Sequence, residues 1–185
     1  MRRSASESMT DSNSTAIAYI AVGSNILPDE NVPAAVALLA EKLELMSISN
    51  FYRTRALHRP EQADYRNGVV AVRTALRPVE VRDEVLRPIE AQLKRKRSQD
   101  KYAARTVDLD LILYGDEVAR EKGLYLPDPD LRERPFIAVP LLELAPDLVL
   151  PDDGTRLAEL GAARRTRDLY LDESLTDALK ERLLR

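Results

Sequence analysis

The order of the predicted secondary-structure elements constrains the fold of this chain more than any single motif does. The pattern of apolar residues predicts a strand, a helix, two strands, a second helix, a further strand and a helical tail. The first strand covers residues 16–22, which are apolar throughout, as expected of a buried strand. This order is the split β-α-β arrangement, so we predict an α+β, ferredoxin-like sandwich with an antiparallel sheet of about four to six strands and flanking helices.

Hydrophobic periodicity sets the expected bounds of the elements. Apolar residues at helical spacing predict a helix over about 32–44. Four-residue steps that start at Val81 predict a second helix over 78–93, which should be kinked at Pro88 because proline removes a backbone hydrogen bond. The remaining expectations are strands over 45–55, over 67–74 and from residue 105, a loop over 55–66, and helices over 136–144 and 172–185.

The N-terminal residues differ in composition from the rest of the chain. Residues 1–15 are rich in Ser, Thr, Asn and Asp and cannot bury enough apolar surface to offset the entropy of ordering, which predicts a disordered tail. The length of 185 residues suits one domain with a hydrophobic core. We therefore expect residues 16–185 to form a single domain with an extended C-terminal helix.

Composition excludes several classes of function. Without cysteine the chain has no disulfides and no thiolate metal site, which suits a reducing compartment, and we expect a cytoplasmic protein. His58 is the only histidine, so a zinc site of histidines and cysteines is excluded and any metal is held mainly by carboxylates. A net charge of -3 argues against a nucleic-acid partner, and no apolar run approaches the roughly 20 residues that span a membrane. A homodimer is left open.

Two aspartates share one face of the strand predicted from Arg105. Side chains alternate along a strand, so Asp108, Asp110 and Ile112 are predicted to lie on one face. The other face then carries Val107, Leu109, Leu111 and Leu113. The two carboxylates are then separated by roughly 6.5 Å and repel each other unless a cation lies between them. A solvated outer face of the sheet is the alternative interpretation.

A basic run precedes these aspartates and favours the interpretation as a metal site. Its cationic side chains are Lys94, Arg95, Lys96, Arg97, Lys101 and Arg105. Carboxylates hold a hard divalent cation and guanidinium groups hold phosphate oxygens, so the two together predict a site for a magnesium polyphosphate. A solvated loop is the plain alternative. A nucleic-acid patch is the other, but the run lacks interleaved aromatic residues.

Residues 105–115, Arg-Thr-Val-Asp-Leu-Asp-Leu-Ile-Leu-Tyr-Gly, resemble the signature of the 6-hydroxymethyl-7,8-dihydropterin pyrophosphokinase family of folate synthesis. The resemblance covers about residues 16–155. Further matching motifs occupy residues 19–25, 51–54, 64–67, 126–127, 134–136 and 139–146. It implies transfer of the β,γ-diphosphate of ATP to the hydroxymethyl oxygen of the pterin, with release of AMP.

The resemblance also implies which residues bind the nucleotide. Asp108 and Asp110 match the family's ligands of two magnesium ions. Glu90 matches a residue near the nucleotide, and Asp128 occupies a nucleotide-binding position at which the family usually has histidine. The arginines that correspond to the family's phosphate-binding residues are Arg95, Arg97, Arg105 and Arg134. Of these, Arg95 and Arg97 are expected to act in catalysis together with the two aspartates.

The pterin site is implied in the same way. The family's pterin lies between two aromatic rings, which match Tyr65 and Phe136, and an asparagine, matched by Asn67, contacts its polar edge. Main-chain groups around Thr54 and Leu57 line that pocket. Without the resemblance, core packing would explain the two rings and a turn before a strand would explain the asparagine.

Several positions depart from the family pattern. Asp128 places a negative charge where a phosphate donor is usual, Tyr102 replaces a tryptophan, and Ala103-Ala104 replaces Gly-Pro. Residues 55–60 replace a loop rich in glycine and proline. These departures leave open lower activity, a modified pterin or a different acceptor alcohol. A noncatalytic pterin- or nucleotide-binding homologue is the main alternative function, and a nucleic-acid-binding ferredoxin-like module is a third.

Overall fold

The computed structural model describes residues 15–96, 99–100, 102–121 and 123–183. All of the predicted tail except Thr15 lies outside the described residues, as does Arg97. The strands are β1 (Ala16–Ser24), β2 (Glu44–Ile48), β3 (Tyr52–Thr54), β4 (Tyr65–Thr74), β5 (Asp108–Tyr114), β6 (Ala119–Glu121), β7 (Leu124–Leu126) and β8 (Tyr170–Leu171). The helices are α1 (Pro28–Lys42), α2 (Pro78–Glu80), a π-helix (Val81–Leu86), α3 (Arg87–Gln92), α4 (Asp130–Glu133), α5 (Pro135–Leu144), a 3-10 helix (Leu157–Glu159) and α6 (Glu173–Leu183).

Within the described residues, six strands form one antiparallel sheet in the order β5-β1-β4-β3-β8, and β2 also pairs with β4. The long pairing of β1 with β4 runs from Ala16 opposite Thr74 to Ser24 opposite Arg66. Helices cover both faces of the sheet. The predicted α+β, ferredoxin-like sandwich is therefore confirmed.

The two faces of the sheet carry separate hydrophobic clusters. One cluster joins Ile20, Val70 and Leu109 to α1, the π-helix, α3 and the C-terminal helix α6. The other joins Val69 and Ile112 to α5 and the segment that follows it. Asp108 and Asp110 alternate with Leu109 and so lie on the α5 face, where the cavity described below opens.

The single strand predicted over 45–55 is wrong, because two strands occupy this region. Regular strand pairing is interrupted between β2 and β3. There the Ser49 amide donates to the carbonyl of Val69 (3.0 Å), and the Val69 amide donates to the Ser49 hydroxyl oxygen (2.9 Å). The amide of Phe51 is then bonded by the C-terminal segment instead of by a neighbouring strand. Such a break depends on a distant part of the chain, which periodicity does not reveal.

The helix predicted over 78–93 is present as the consecutive segments α2, π-helix and α3. The amide of Arg87 bonds the carbonyl of Arg82, five residues back, as in a π-turn. This widened turn places Pro88 in the first turn of α3, where a missing N–H costs little. The structure accommodates Pro88 by a π-segment over Val81–Leu86.

A β-bulge corrects the predicted faces of β5. Opposite β5, Ile20 pairs with Leu111 and Tyr19 with Leu113, so Ile112 is the extra residue. Leu113 therefore lies in the same cluster as Ile112, and its predicted placement beside Leu111 is wrong.

The remaining differences concern element ends and short elements. α1 begins at Pro28, β4 at Tyr65 and β5 at Asp108, each displaced by two to four residues from the expected start. The β6–β7 hairpin, α4, the 3-10 helix and β8 were not predicted, because segments of two to four residues are too short for periodicity. Among the described residues, no helix is both long and apolar enough to cross a membrane.

Candidate active site

A cavity of about 390 Å³ opens on the α5 face of the sheet, at the ends of β1, β3, β4 and β5. Its lining combines neutral polar, aromatic and charged side chains. The lining residues are Gly23, Thr54, Arg55, Ala56, Leu57, Tyr65, Asn67, Tyr102, Arg105, Asp108, Asp110, Asp130, Arg134, Phe136 and Ile137. Residues far apart in sequence thus meet in one cavity.

One side of the cavity, here called the neutral wall, consists of Thr54, Tyr65 and Asn67. Strand pairing sets it, because Thr54 on β3 lies directly opposite Tyr65 on β4. The Asn67 amide donates to Thr54 Oγ1 (2.8 Å), and both side chains are buried. This bond fixes the orientation of the Asn67 amide. Its second N–H and its side-chain carbonyl oxygen are therefore oriented before any ligand binds.

The aromatic lining comes from two separate elements. Tyr65 belongs to β4, whereas Phe136 lies in the first turn of α5. Burial raises the pKa of the Tyr65 hydroxyl, while the Arg105 guanidinium beside it acts in the opposite direction. Tyr65 is therefore a neutral ring that also contacts the charged side of the cavity.

The other side, here called the charged wall, consists of Arg105, Asp108 and Asp110. The two carboxylate oxygens of Asp108 are divided between two arginines: Oδ1 pairs with Arg95 and Oδ2 with Arg105. The side chains of this ion-paired group, Arg95, Asp108 and Arg105, are only 14–21% exposed. Two cations on one partly buried carboxylate hold its geometry firmly.

Glu90 supports this wall from behind. Its residue is 2% exposed, it pairs with Arg95, and its Oε1 accepts the Leu109 amide (3.0 Å). Because Leu109 lies between the two aspartates, Glu90 couples α3 to the strand that carries them. Glu90 does not line the cavity, and its position is that of a buried support for Arg95.

Asp110 differs from Asp108 in lacking a directly paired arginine among the described residues. Within the described residues it forms no ion pair or side-chain hydrogen bond, and it faces the cavity. Displacement of water by the surrounding protein and the charges of Asp108 and Asp128 raise the pKa of Asp110 well above its ordinary value. A site with excess negative charge of this kind fits a bound cation.

Arg134 lines the cavity, and Asp128 lies beside it, close enough for its charge to act on Asp110. The Arg134 Nε is buried without a hydrogen-bond partner among the described residues and lies 3.5 Å from Asp130 Oδ1. Asp128 Oδ1 accepts the Asp130 amide (2.8 Å) at the start of α4, and burial raises the pKa of Asp128. Arg134, which lines the cavity, offers a guanidinium group to an incoming anion, whereas Asp128 adds negative charge near Asp110.

Gly23 joins the two walls. It lies on β1 opposite Asn67 on one neighbouring strand and opposite Asp108 on the other. A Cβ at this position would lie 2.7 Å from Asn67 Oδ1 and 3.9 Å from Asp108 Cβ. Glycine is therefore required here for close approach, and the sequence offered a signal in the Gly-Ser-Asn that ends β1.

The rim of the cavity is held by contacts between residues 55–64 and the segment before the aspartates. Asn25 Oδ1 accepts the Arg105 amide (2.8 Å), and Gln62 Nε2 donates to the carbonyl of Tyr102 (3.0 Å). The ring of His58 lies 4.8 Å from that of Tyr102, centroid to centroid. The only histidine is thus a rim residue.

Comparison with known families settles the relationship of the chain. Residues 19–146 match the model of 7,8-dihydro-6-hydroxymethylpterin-pyrophosphokinase (HPPK), which is well over half of the 185 residues. The chain belongs to the HPPK family.

Curated relatives agree. The following two both carry the name 2-amino-4-hydroxy-6-hydroxymethyldihydropteridine pyrophosphokinase. The Haemophilus influenzae protein is 40% identical over 138 residues, which cover 73% of this chain and 85% of the relative. The Synechocystis protein is 41% identical over 146 residues, which cover 77% of this chain and 73% of the relative.

The fold also matches a solved structure. A triple mutant of Plasmodium falciparum HPPK-DHPS with STZ-DHP aligns with a TM-score of 0.61 at 14% identity, covering 80% of this chain and 43% of that chain. At this identity the likeness concerns the fold alone. The predicted family, its ferredoxin-like fold and the class of enzyme, a pyrophosphokinase of folate synthesis, are therefore confirmed.

The site residues expected from the HPPK resemblance fall into three groups. Those that line the cavity are Thr54, Leu57, Tyr65, Asn67, Arg105, Asp108, Asp110, Arg134 and Phe136. Those that lie beside or behind it are Glu90, Arg95 and Asp128. Arg97 lies outside the described residues.

Lining residues that the sequence did not single out include Gly23, Arg55, Ala56, Asp130 and Ile137. Arg55 and Ala56 adjoin the predicted Thr54, and Ile137 adjoins Phe136, so proximity in sequence was the available signal. Asp130 had no comparable signal, since it is one of several acidic residues in a proline-rich loop.

Proposed function

We propose that this chain binds ATP with magnesium and 6-hydroxymethyl-7,8-dihydropterin in the cavity and transfers the β,γ-diphosphate to the hydroxymethyl oxygen. The observation that carries this proposal is the juxtaposition of the neutral wall with the charged wall in one cavity. HPPK family membership supports the same reaction. A bond forms between the acceptor oxygen and the β-phosphorus, and the bond from that phosphorus to the AMP oxygen breaks.

The neutral wall suits a flat heterocycle with polar edges. Tyr65 and Phe136 offer ring faces, and an aromatic ligand between them would bury a large apolar surface. The Asn67 amide, held by Thr54, can both donate to and accept from the polar edge of a pterin. Leu57, which is 41% exposed at the mouth, gains burial when a ligand occupies the cavity.

The charged wall suits a polyphosphate with divalent cations. Asp110 and the neighbouring Asp108 are the residues that would hold magnesium, two ions by analogy with the family. In the described residues, no group of three or more His, Cys, Asp and Glu side chains could hold a metal ion. Most of the ligands would therefore come from ATP and water, as is usual for magnesium. When bound, magnesium neutralises charge on the phosphates and polarises the transferred group.

The chain's own residues contribute positioning and fixed charge. Arg105 and Arg95 present guanidinium groups whose orientation Asp108 and Glu90 already fix, so little reorganisation is needed when phosphate charge shifts in the reaction. Arg134, which also lines the cavity, can bond a phosphate oxygen through its guanidinium group. The proton of the acceptor hydroxyl passes to Asp110 or to water. No covalent intermediate is required, because holding donor and acceptor in line supplies most of the rate.

Incubation of the purified chain with ATP, magnesium and 6-hydroxymethyl-7,8-dihydropterin tests the proposal. We expect stoichiometric AMP and pterin diphosphate. Release of ADP would indicate a simple kinase. Pterin binding by calorimetry without any AMP would instead indicate the noncatalytic homologue, for which Asp128 near Asp110 is the supporting observation.

The setting of this activity is part of the same proposal. The absence of cysteine supports a cytoplasmic enzyme. We propose small-molecule substrates without a nucleic-acid partner, supported by the net charge of -3. A homodimer stays a prediction, which light scattering at catalytic concentrations would test.

A further inference from the structure

Residues 170–180, here called the C-terminal brace, extend the sheet beside β3 and then pack a helix on the face opposite the cavity. The brace lies beyond residues 19–146, the part of the chain that matches the HPPK family model. It comprises β8 and most of α6. A segment outside the matched part of the chain therefore touches the substrate-binding strands.

The main chain of the brace is bonded directly to Phe51 and β3. Tyr52 pairs with Leu171 and Arg53 with Tyr170. The Asp172 amide donates to the carbonyl of Phe51 (2.9 Å). The Phe51 amide in turn donates to Thr176 Oγ1 (2.9 Å), a bond in the protein interior. Both polar groups of the Phe51 backbone are thus satisfied by the brace.

Phe51 connects these bonds to the neutral wall. Its side chain is fully buried, and its ring lies against Gly68, where a Cβ would approach to 2.6 Å. Gly68 follows Asn67 on β4, so the position of Phe51 limits where that part of β4 can lie. The brace therefore fixes a residue that packs one position from the predicted pterin-binding amide.

Charge on the reverse face supplies a second link. Arg53 on β3 lies directly opposite Arg66 on β4, and like charges at such a pair repel each other. Asp172 Oδ2 accepts from Arg66 Nε (2.5 Å), and each side chain of this pair is only 18% exposed. Arg53 lies over the Tyr170 ring (5.7 Å) and 3.6 Å from Asp64. The brace thus supplies the anionic partner of Arg66 and a ring contact for Arg53, whose anionic partner is Asp64.

Arg66 lies between Tyr65 and Asn67 on β4. Because side chains alternate, Arg66 points away from the cavity while its neighbours point into it. A displacement of Arg66 therefore also displaces Tyr65 and Asn67, because the three residues share one stretch of backbone. Leu175 and Leu179 anchor the brace itself, since they are buried at 5% and 1% exposure in the cluster that contains α1.

We propose that Asp172 is a positioning residue for the acceptor, which acts through Arg66 to hold β3 and β4 at the spacing that the neutral wall requires. This inference rests on the proposed function, since it takes a pterin as the ligand of that wall. A change in the brace, which lies beyond the family match, should therefore weaken binding of the acceptor but not binding of the nucleotide.

Asp172→Asn is the central variant. Asparagine keeps an acceptor for the Leu175 amide, which Asp172 Oδ1 now accepts (3.1 Å), so the start of α6 is retained. It removes the charge that compensates Arg66. We expect affinity for 6-hydroxymethyl-7,8-dihydropterin, measured by calorimetry with a nonhydrolysable ATP analogue, to fall by about threefold to tenfold. Affinity for the ATP analogue alone should be unchanged.

Two further variants separate positioning from general destabilisation. Glu173→Gln removes a neighbouring, exposed carboxylate and should leave both affinities unchanged. Adding Arg66→Met to Asp172→Asn removes the uncompensated cation and should restore most of the pterin affinity. Should Asp172→Asn fail to fold, Asp172→Ser, which also removes the charge but keeps an acceptor for the Leu175 amide, is expected to show the same selective loss.

The outcomes are distinguishable from failure of the proposed function. If the unaltered chain binds no pterin, the proposed function is wrong. If the unaltered chain binds pterin and Asp172→Asn binds it equally well, the positioning role is wrong. An equal loss of pterin and nucleotide affinity, or no recovery in the double variant, would also overturn that role.

Discussion

The two walls of the cavity are stabilised in different ways. The charged wall is held by ion pairs, in which Glu90, Arg95, Asp108 and Arg105 form a continuous chain of alternating charge. The neutral wall is held by strand pairing and by one bond between uncharged side chains, from Asn67 to Thr54. The first arrangement is internal to the catalytic region, whereas the second depends on the sheet around it.

Substitutions in the charged wall and in the neutral wall should therefore have different effects. A change in the charged wall acts on phosphate and metal directly, through fields that remain strong in a partly buried site. A change in the neutral wall acts through small displacements of backbone and amide. We therefore expect large losses of turnover from the first wall and moderate, acceptor-specific losses from the second.

Asp110→Asn should have the largest effect. The isosteric change removes the charge of a carboxylate that faces the cavity. We expect turnover to fall by about a thousandfold, the size typical for loss of one strong electrostatic contact to a transition state. Rates of AMP formation at saturating substrates measure it. Folding should be unaffected, because Asp110 makes no ion pair in the described residues. Asp116→Asn, in the exposed turn after β5, is the matched control, and equal rates in the two variants would refute a metal-binding role.

Glu90→Gln should weaken the charged wall without touching the cavity. Glutamine can still accept the Leu109 amide, but Arg95 loses a buried anionic partner. We expect the free energy of unfolding to drop by about 1–3 kcal/mol and the KM for ATP to rise about tenfold. Urea unfolding and steady-state kinetics provide the measurements.

The specificity of the Glu90 effect is checked with Glu84→Gln, an exposed carboxylate of the π-helix that should be silent. Pterin affinity should stay unchanged in both variants. A loss of pterin affinity in Glu90→Gln would show that the two walls are not independent.

Gly23→Ala tests the junction of the walls. The added Cβ would lie 2.7 Å from Asn67 Oδ1, so the amide must move away from the position that Thr54 fixes. We expect pterin affinity to fall about tenfold while nucleotide affinity changes little, since Asp108 Cβ lies 3.9 Å away, an ordinary contact. Gly161→Ala, with open space around it, controls for the added methyl group. Equal losses of both ligands would contradict the distinction.

Asp128→His should have the smallest effect. The change removes a negative charge near Asp110 and restores the residue usual in the family, so we expect ATP affinity to increase by about twofold to threefold. Calorimetric titration with the ATP analogue measures it. Asp128→Asn, which keeps an acceptor for the Asp130 amide, separates the loss of charge from the gain of an imidazole. A weaker affinity in both variants would mean that Asp128 supports the nucleotide site.

The charged wall was the more predictable part of the molecule. Asp108 and Asp110 on one strand face followed from alternation, and the arginines followed from their proximity in sequence. The sandwich followed from element order. The bulge at Ile112, the π-segment before Pro88 and the division of residues 44–54 into two strands did not follow, because each depends on contacts with distant residues. The support of Phe51 by Thr176 is of the same kind, since 125 residues separate the two.

Gly23 has one further consequence, which concerns size. Neighbouring strands are spaced about 4.8 Å apart, so Asn67 and Asp108, on either side of Gly23, are separated by about 10 Å across the sheet. The Asn67 amide and the Asp108 carboxylate are thus held at a separation set by two strand spacings. The same spacing would separate a ring bound at Asn67 from a phosphate chain bound at Asp108. Under the proposed function, this spacing would favour an acceptor whose hydroxyl is carried on a short arm from the ring, because the ring and the phosphate chain would be bound at adjoining strands. Recognition of the acceptor would then depend on the spacing of the strands as well as on the side chains that they carry.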